Sequence, residues 1–236
     1  MSACAVTITG ADDNVSPEAM ARLSAEFPAA LEWGVLCSRS RMGTSRYPSI
    51  PWVRSVRWLM KLKGISLSAH LCGSYARVVM GLEAGTIPIE LASGFSRTQV
   101  NGYEPGRAAA LPIVRRYGFE YILQARGEAM VGACAADARA RTDVPCSVLF
   151  DPSGGRGARA TEWPAAPAGV CMGYAGGISP ANVATVLGEI REANGGRWPA
   201  WIDMESGVRD AGDQLDLAAV RQVLEAVARV CAEGAA

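Results

Sequence analysis

Residues 169–205 read GVCMGYAGGISPANVATVLGEIREANGGRWPAWIDME, and they hold the pattern that the rest of the chain repeats. A short apolar run, 169–175, stops at Gly176-Gly177. Ser179 and Pro180 then have the composition of a helix start, and the apolar residues that follow recur every three or four positions as far as Ala193. After Asn194-Gly-Gly a second apolar run, 200–205, begins. Short runs bounded by glycine are strands, and the spacing between them is helical, so the stretch is a β-α-β unit.

Working outward, the same alternation covers the chain. The strand candidates are AVTITG, ALEWGVLCS, SLSAHLCG, RTQVNG, FEYILQA, CSVLFD, GVCMGYA and AWIDME, eight in all. Helical spacing is expected over 17–27 after a Ser16 cap, 52–63, 75–83, 108–116, 129–140, 180–193 after the Ser179 cap, and 217–232. Only the glycine- and proline-rich connection after CSVLFD lacks a helix. Eight β-α units in 236 residues predict an α/β protein of the (β/α)8 TIM-barrel class, folded as one domain over 1–236. An open dinucleotide-binding sheet is disfavoured, because no G-x-G-x-x-G follows the first strand.

Composition narrows the function. Half the residues are hydrophobic and 19% charged, enough to build a large core. Lys plus Arg and Asp plus Glu are 23 each, so no electrostatic footprint for nucleic acid or an anionic membrane is expected. No apolar run reaches the roughly 18 residues of a spanning helix, and the start MSACAVTITGADD is unlike a signal peptide; the expected location is cytoplasmic. The 7 cysteines form no C-x-x-C pair and are expected as reduced, mostly buried thiols. With a single histidine, His70, no metal site is expected, and no other cofactor is implied.

Strand alternation assigns faces. Positions against the helices must be apolar, which turns Thr7 and Thr9, Ser68, His70 and Cys72, Gln99 and Asn101, Asp151, and Asp203 and Glu205 toward the barrel axis. Most lie near the C-terminal ends of their strands, where barrel enzymes keep their chemistry. Glu32 also points inward but near the start of its strand, a position as well suited to a structural role. His70, beside Cys72, has two readings: a hydrogen-bonded structural histidine, or a group that titrates near neutral pH and is available as an acid or base. Asp12 and Asp13, after strand one, are expected to be solvated loop residues.

Glycine-rich turns close the last three strands: Gly154-Gly155-Arg156-Gly157, Gly176-Gly177-Ile178 and Ser206-Gly207-Val208. Backbone N–H groups in such turns can approach a phosphate closely, and barrels often place a phosphate site at these strand ends. Gly154, Gly155, Gly176, Gly177, Ser206 and Gly207 are the candidate phosphate contacts at the ends of strands 6 to 8.

Three of these segments carry a resemblance. Asp151-Pro-Ser-Gly-Gly-Arg-Gly resembles an aspartate followed by G-G-T-G, Ala175-Gly-Gly-Ile-Ser-Pro-Ala-Asn-Val resembles A-G-G-L-x-P-x-N-V, and Asp203-Met-Glu-Ser-Gly-Val resembles D-V-x-S-G-V. These are patterns of the phosphoribosylanthranilate isomerase family, in its order and spacing. Ser45-Arg46-Tyr47 is similar to that family's S-x-R-Y loop, and Gln99-Val-Asn-Gly to its Q-L-H-G.

The resemblance implies an aldose–ketose isomerisation of a small phosphorylated, carboxylate-bearing metabolite, as in tryptophan biosynthesis, by a monomer or homodimer. Asp151 would be the general acid, Arg46 the carboxylate clamp, and Asn101 and Asp203 substrate contacts. Two positions depart from the pattern. Thr9 stands where the family has its basic cysteine, and Asn101 where it has a histidine. A threonine hydroxyl is a far weaker base than a thiolate, so His70 or Cys72 on strand three, or Glu205 on strand eight, would have to supply the base. The alternatives are a phosphate-ligand-binding protein without turnover, or a lyase on the same scaffold. A Schiff-base lyase is disfavoured, because the only lysines, Lys61 and Lys63, fall on a predicted helix or just beyond it.

Overall fold

The computed structural model describes residues 4–28, 30–112 and 120–234. All eight expected strands form: β1 (Ala5–Thr9), β2 (Leu31–Ser38), β3 (Ser66–Cys72), β4 (Arg97–Val100), β5 (Glu120–Ala125), β6 (Cys146–Phe150), β7 (Met172–Ala175) and β8 (Trp201–Met204). Each pairs in parallel with the next, and β8 returns to β1, so the sheet closes as a TIM barrel. Outward-facing Val6, Ile8, Val35, Leu71, Val148 and Ile202 pack under the surrounding helices, and all are buried.

The helices are α1 (Pro17–Glu26), α2 (Ile50–Lys63), α3 (Ser74–Val79), α4 (Ile89–Ala92), α5 (Glu128–Ala140), α6 (Val183–Ala193) and α7 (Leu217–Glu233). Ser16 caps α1 by accepting from the Ala19 N–H, and Asp216 caps α7 by accepting from those of Ala218 and Ala219. Between β6 and β7 the described residues contain no helix, as the sequence indicates.

Three helix boundaries differ from expectation by three residues or more. α6 starts at Val183 rather than Pro180, because the Asn182 side chain folds back, accepting from the Ser179 N–H at 2.8 Å and donating to the Gly177 carbonyl at 2.9 Å. α3 ends at Val79, four residues before Glu83, where Gly81 turns left-handed at φ 67°. The helix expected over 108–116 is reduced to a 3-10 turn, Ala108–Ala110, because Leu111 precedes Pro112 and is extended (φ −62°, ψ 128°). The rest of that segment, from residue 113, lies outside the described residues. α4 was not anticipated.

The lower, N-terminal end of the barrel is closed by charge and an aromatic ring. Arg97 grips Glu32 with two hydrogen bonds, Nη2 to Oε1 at 2.7 Å and Nε to Oε2 at 3.0 Å, and its guanidinium lies 4.3 Å from the centre of the Trp201 ring. Thr7 donates to the same carboxylate at 3.1 Å. Trp201 can lie across the axis because the neighbouring residue on β7 is Gly173; a Cβ there would overlap the indole. Glu32 is therefore a structural residue of the barrel floor.

Candidate active site

Above that floor the barrel opens at its C-terminal end into a cavity that is open to solvent. Thr9, His70, Gln99, Asn101, Asp151, Asp203 and Glu205 all line it. Parity thus placed these seven side chains correctly. The far wall comes from the three glycine turns, through Gly155, Gly157, Gly176, Gly177 and Gly207.

The glycines let those turns pack on one another. A Cβ on Gly207 would overlap the Ile178 carbonyl, one on Gly177 would stand 2.5 Å from the Arg159 backbone, and one on Gly157 would stand 2.9 Å from the Ser206 side chain. The loops after β6, β7 and β8 therefore form one wall. Among the described residues, none accepts a hydrogen bond from the amide of Gly177 or Gly207. Gly154 is the exception: it is left-handed at φ 59°, lies against Arg126 and does not line the cavity.

The two cavity aspartates differ in what holds them. Asp151 accepts four hydrogen bonds: Oδ1 from the Ser153 N–H (3.1 Å) and hydroxyl (2.7 Å), Oδ2 from Gln124 Nε2 (2.8 Å) and the Gly155 N–H (2.8 Å). That fills the usual capacity of a carboxylate and fastens the turn after β6. Asp203 accepts one, from the Thr9 hydroxyl to Oδ1 at 2.9 Å. Burial, with Asp151, Glu205 and Glu32 nearby, raises the Asp203 carboxyl to about 8 despite that bond.

The expected bases on β3 behave otherwise. His70 sits against Gly34 in the barrel, where a Cβ on Gly34 would stand 2.8 Å from its Nε2, and that nitrogen shares a hydrogen with Ser68 Oγ at 3.0 Å. Burial, reinforced by the Arg97 charge, lowers its pKa to about 3, so the ring is neutral at pH 7 and does not titrate where the sequence suggested. Cys72 receives a hydrogen bond from Asn101 Nδ2 at 3.0 Å. Burial pushes its thiol up, partly offset by Asn101 and Tyr47, which keeps it protonated at neutral pH.

Arg46 lies at the rim, in a left-handed backbone conformation (φ 69°). Its Nη1 donates to Glu205 Oε1 at 2.7 Å and Ser206 Oγ at 3.1 Å, while Nη2 and Nε hold Asp213, at 2.6 and 3.1 Å. Burial raises the Glu205 carboxyl and Arg46 opposes it. Asp12, expected to be solvated, is buried instead: it accepts from the Arg46 N–H at 2.7 Å and pairs with Arg209 at 3.5 Å. Asp13 holds Ser49, at the start of α2.

Sequence reasoning missed Gln124 and Ser153, which hold Asp151, and Asp213, which holds Arg46. Strand parity on FEYILQA would have found Gln124; no local signal marks Asp213. Gln99 carries a buried Oε1 with no partner. Among the described residues no group of three or more His, Cys, Asp or Glu is placed to hold a metal ion, and no helix is long and apolar enough to cross a membrane.

No protein-family model matches the chain, and no curated protein does. Solved structures do. The phosphoribosylanthranilate isomerase of Thermus thermophilus superposes with a TM-score of 0.60 at 22% identity, covering 96% of this chain and 99% of that one. The barrel has the fold of the phosphoribosylanthranilate isomerases. A second such isomerase, in complex with reduced 1-(o-carboxyphenylamino)-1-deoxyribulose 5-phosphate, matches with a TM-score of 0.58 at 14% identity over 96% of this chain and 99% of that one. A truncated 3-deoxy-D-arabino-heptulosonate 7-phosphate synthase from Thermotoga maritima matches similarly, with a TM-score of 0.60 at 11% identity over 98% and 88%. The likeness to phosphoribosylanthranilate isomerase thus extends along nearly the whole barrel at low identity, and the fold is shared with a synthase.

Proposed function

We propose that this protein is an isomerase of the phosphoribosylanthranilate isomerase type, moving a proton between adjacent carbons of a small phosphorylated, carboxylate-bearing substrate. One observation carries the reading: a wall of interlocked glycine turns with unused amides faces Asp151, Asp203 and Glu205 across a single cavity. The amides of Gly177 and Gly207, with Gly155, Gly176 and Ser206 beside them, suit a phosphate. No lysine or arginine lines the cavity among the described residues, so the backbone would carry that anion.

Arg46 is the candidate carboxylate clamp. Its fork is occupied by Asp213, whose side chain is 45% exposed, and a substrate carboxylate would exchange with Asp213 at small net cost. Asp151 is the acid that the family resemblance assigns; to carry the proton it gives, it must release one of the four donors that hold it.

The test is an assay with freshly generated phosphoribosylanthranilate, following the loss of its fluorescence, on the wild type and Asp151→Asn. Turnover that falls at least a hundredfold in the variant supports the isomerase. Saturable binding of the substrate without turnover would replace it by a binding protein that keeps the phosphate wall, a reading favoured by Thr9 in the place of the basic cysteine. No binding at all refutes the substrate class.

A further inference from the structure

We infer that Asp203, oriented by the Thr9 hydroxyl, is the base that takes the substrate's C2 proton, in place of the side chain missing from β1. The inference rests on reading the cavity as a proton-transfer site. Its basis is the difference between the two aspartates. All four hydrogen-bonding positions of Asp151 are spent on the turn after β6, whereas Asp203 is held at Oδ1 only. Among the described residues none donates a hydrogen bond to Oδ2 of Asp203, and Asp203 lines the cavity.

Register explains the pairing. On the β1–β8 seam Thr7 stands opposite Asp203, and Thr9, the next inward position of β1, reaches it from above. The strand-one residue of this chain is thus a donor to a strand-eight carboxylate. The other candidates are less suited: His70 is neutral beside Ser68, the Cys72 thiol receives Asn101, and Glu205, also held at one oxygen, is ion-paired with Arg46, a cation that opposes its taking a proton.

The step balances simply. From a protonated imine of the opened sugar, the C2–H bond breaks and its proton passes to Asp203 Oδ2; its electron pair forms the C1–C2 double bond of an enaminol as the C1–N π pair moves onto nitrogen. The proton then returns to C1, and the C2 hydroxyl loses its own proton to water, leaving the ketone. Catalysis needs Asp203 ionised, so activity should rise with pH. Asp151, Glu205 and Glu32 favour its protonated form, the Thr9 hydroxyl favours the anion, and Arg97 on the barrel floor is the cation that feels its charge.

The experiment combines carboxyl NMR on aspartate-labelled protein, with Asp203→Asn identifying the signal, and pH–rate profiles of wild type, Asp203→Asn, Thr9→Val and Thr9→Ser. The expected signal titrates near pH 8. Thr9→Val should move it upward by about one pH unit, and Thr9→Ser should restore it. kcat/KM should rise through the same pH, move with the signal in Thr9→Val, and fall at least a hundredfold in Asp203→Asn, mainly in kcat.

A signal that titrates below pH 6, or that ignores Thr9→Val, overturns the inference, as does an Asp203→Asn variant that keeps more than a tenth of the turnover. If the wild type turns nothing over, the proposed substrate fails. The inference then fails with it, whereas turnover that survives Asp203→Asn overturns the inference alone.

Discussion

Replacing Asp203 with asparagine should flatten the fall in stability that the wild type suffers as pH rises. Asp203 is 5% exposed, and its surroundings raise its carboxyl from 3.8 to about 8. Between those pH values the folded protein keeps a proton that the unfolded chain has released, so this carboxyl's contribution is complete below pH 3.8 and is lost progressively until pH passes 8. At about 1.4 kcal/mol per pH unit, the loss between pH 5 and 8 is on the order of 4 kcal/mol, large against a total stability of about 5–15 kcal/mol. Asparagine does not titrate and can still accept the Thr9 hydrogen bond. Urea unfolding of both proteins at pH 5 and pH 8, with linear extrapolation, measures the effect. Because Glu205 is common to both, the change in their difference isolates Asp203. A stability difference that moves by less than about 1 kcal/mol between the two pH values would refute the reasoning, since it would mean that the carboxyl ionises in the fold as it does in water.

Two more predictions address the barrel interior. His70 is the sole histidine, so its ring signals are unambiguous; with the pKa lowered to about 3, they should not shift between pH 5 and 8, and a midpoint near 6.5 would show that the ring is not buried as described. Gly173→Ala should destabilise by about 1–3 kcal/mol by forcing the indole of Trp201 off the axis, as thermal or urea unfolding would record. Pairing it with Trp201→Leu should recover part of the loss, and an additive double variant would argue against contact.

How much of this was readable in advance depends on range. The period-two alternation of AVTITG, SLSAHLCG and AWIDME is a local signal, and it placed Thr9, His70 and Asp203 in one interior. Gly81 and Pro112 are local signals too, and both ended helices sooner than the apolar spacing suggested. What decides the chemistry is not local. Whether His70 can be charged depends on burial and on Arg97 from another strand, and whether Asp151 has a free oxygen depends on Gln124, 27 residues earlier. Arg46 meets Asp213, 167 positions away, where the loops after β2 and β8 come together. A linear reading could name the participants but not their partners.

The floor of Glu32, Arg97 and Trp201 has a kinetic consequence. A barrel stoppered at one end is a cul-de-sac: under the proposed isomerisation, reactant and product would share a doorway, and so would water. While a ligand fills that doorway, bulk solvent is kept from the interior, and a hydrogen lifted from carbon there would be shielded from isotopic washout until the product departs. Label retained in the product, rather than rate alone, would then report how tightly the occupant corks the vessel.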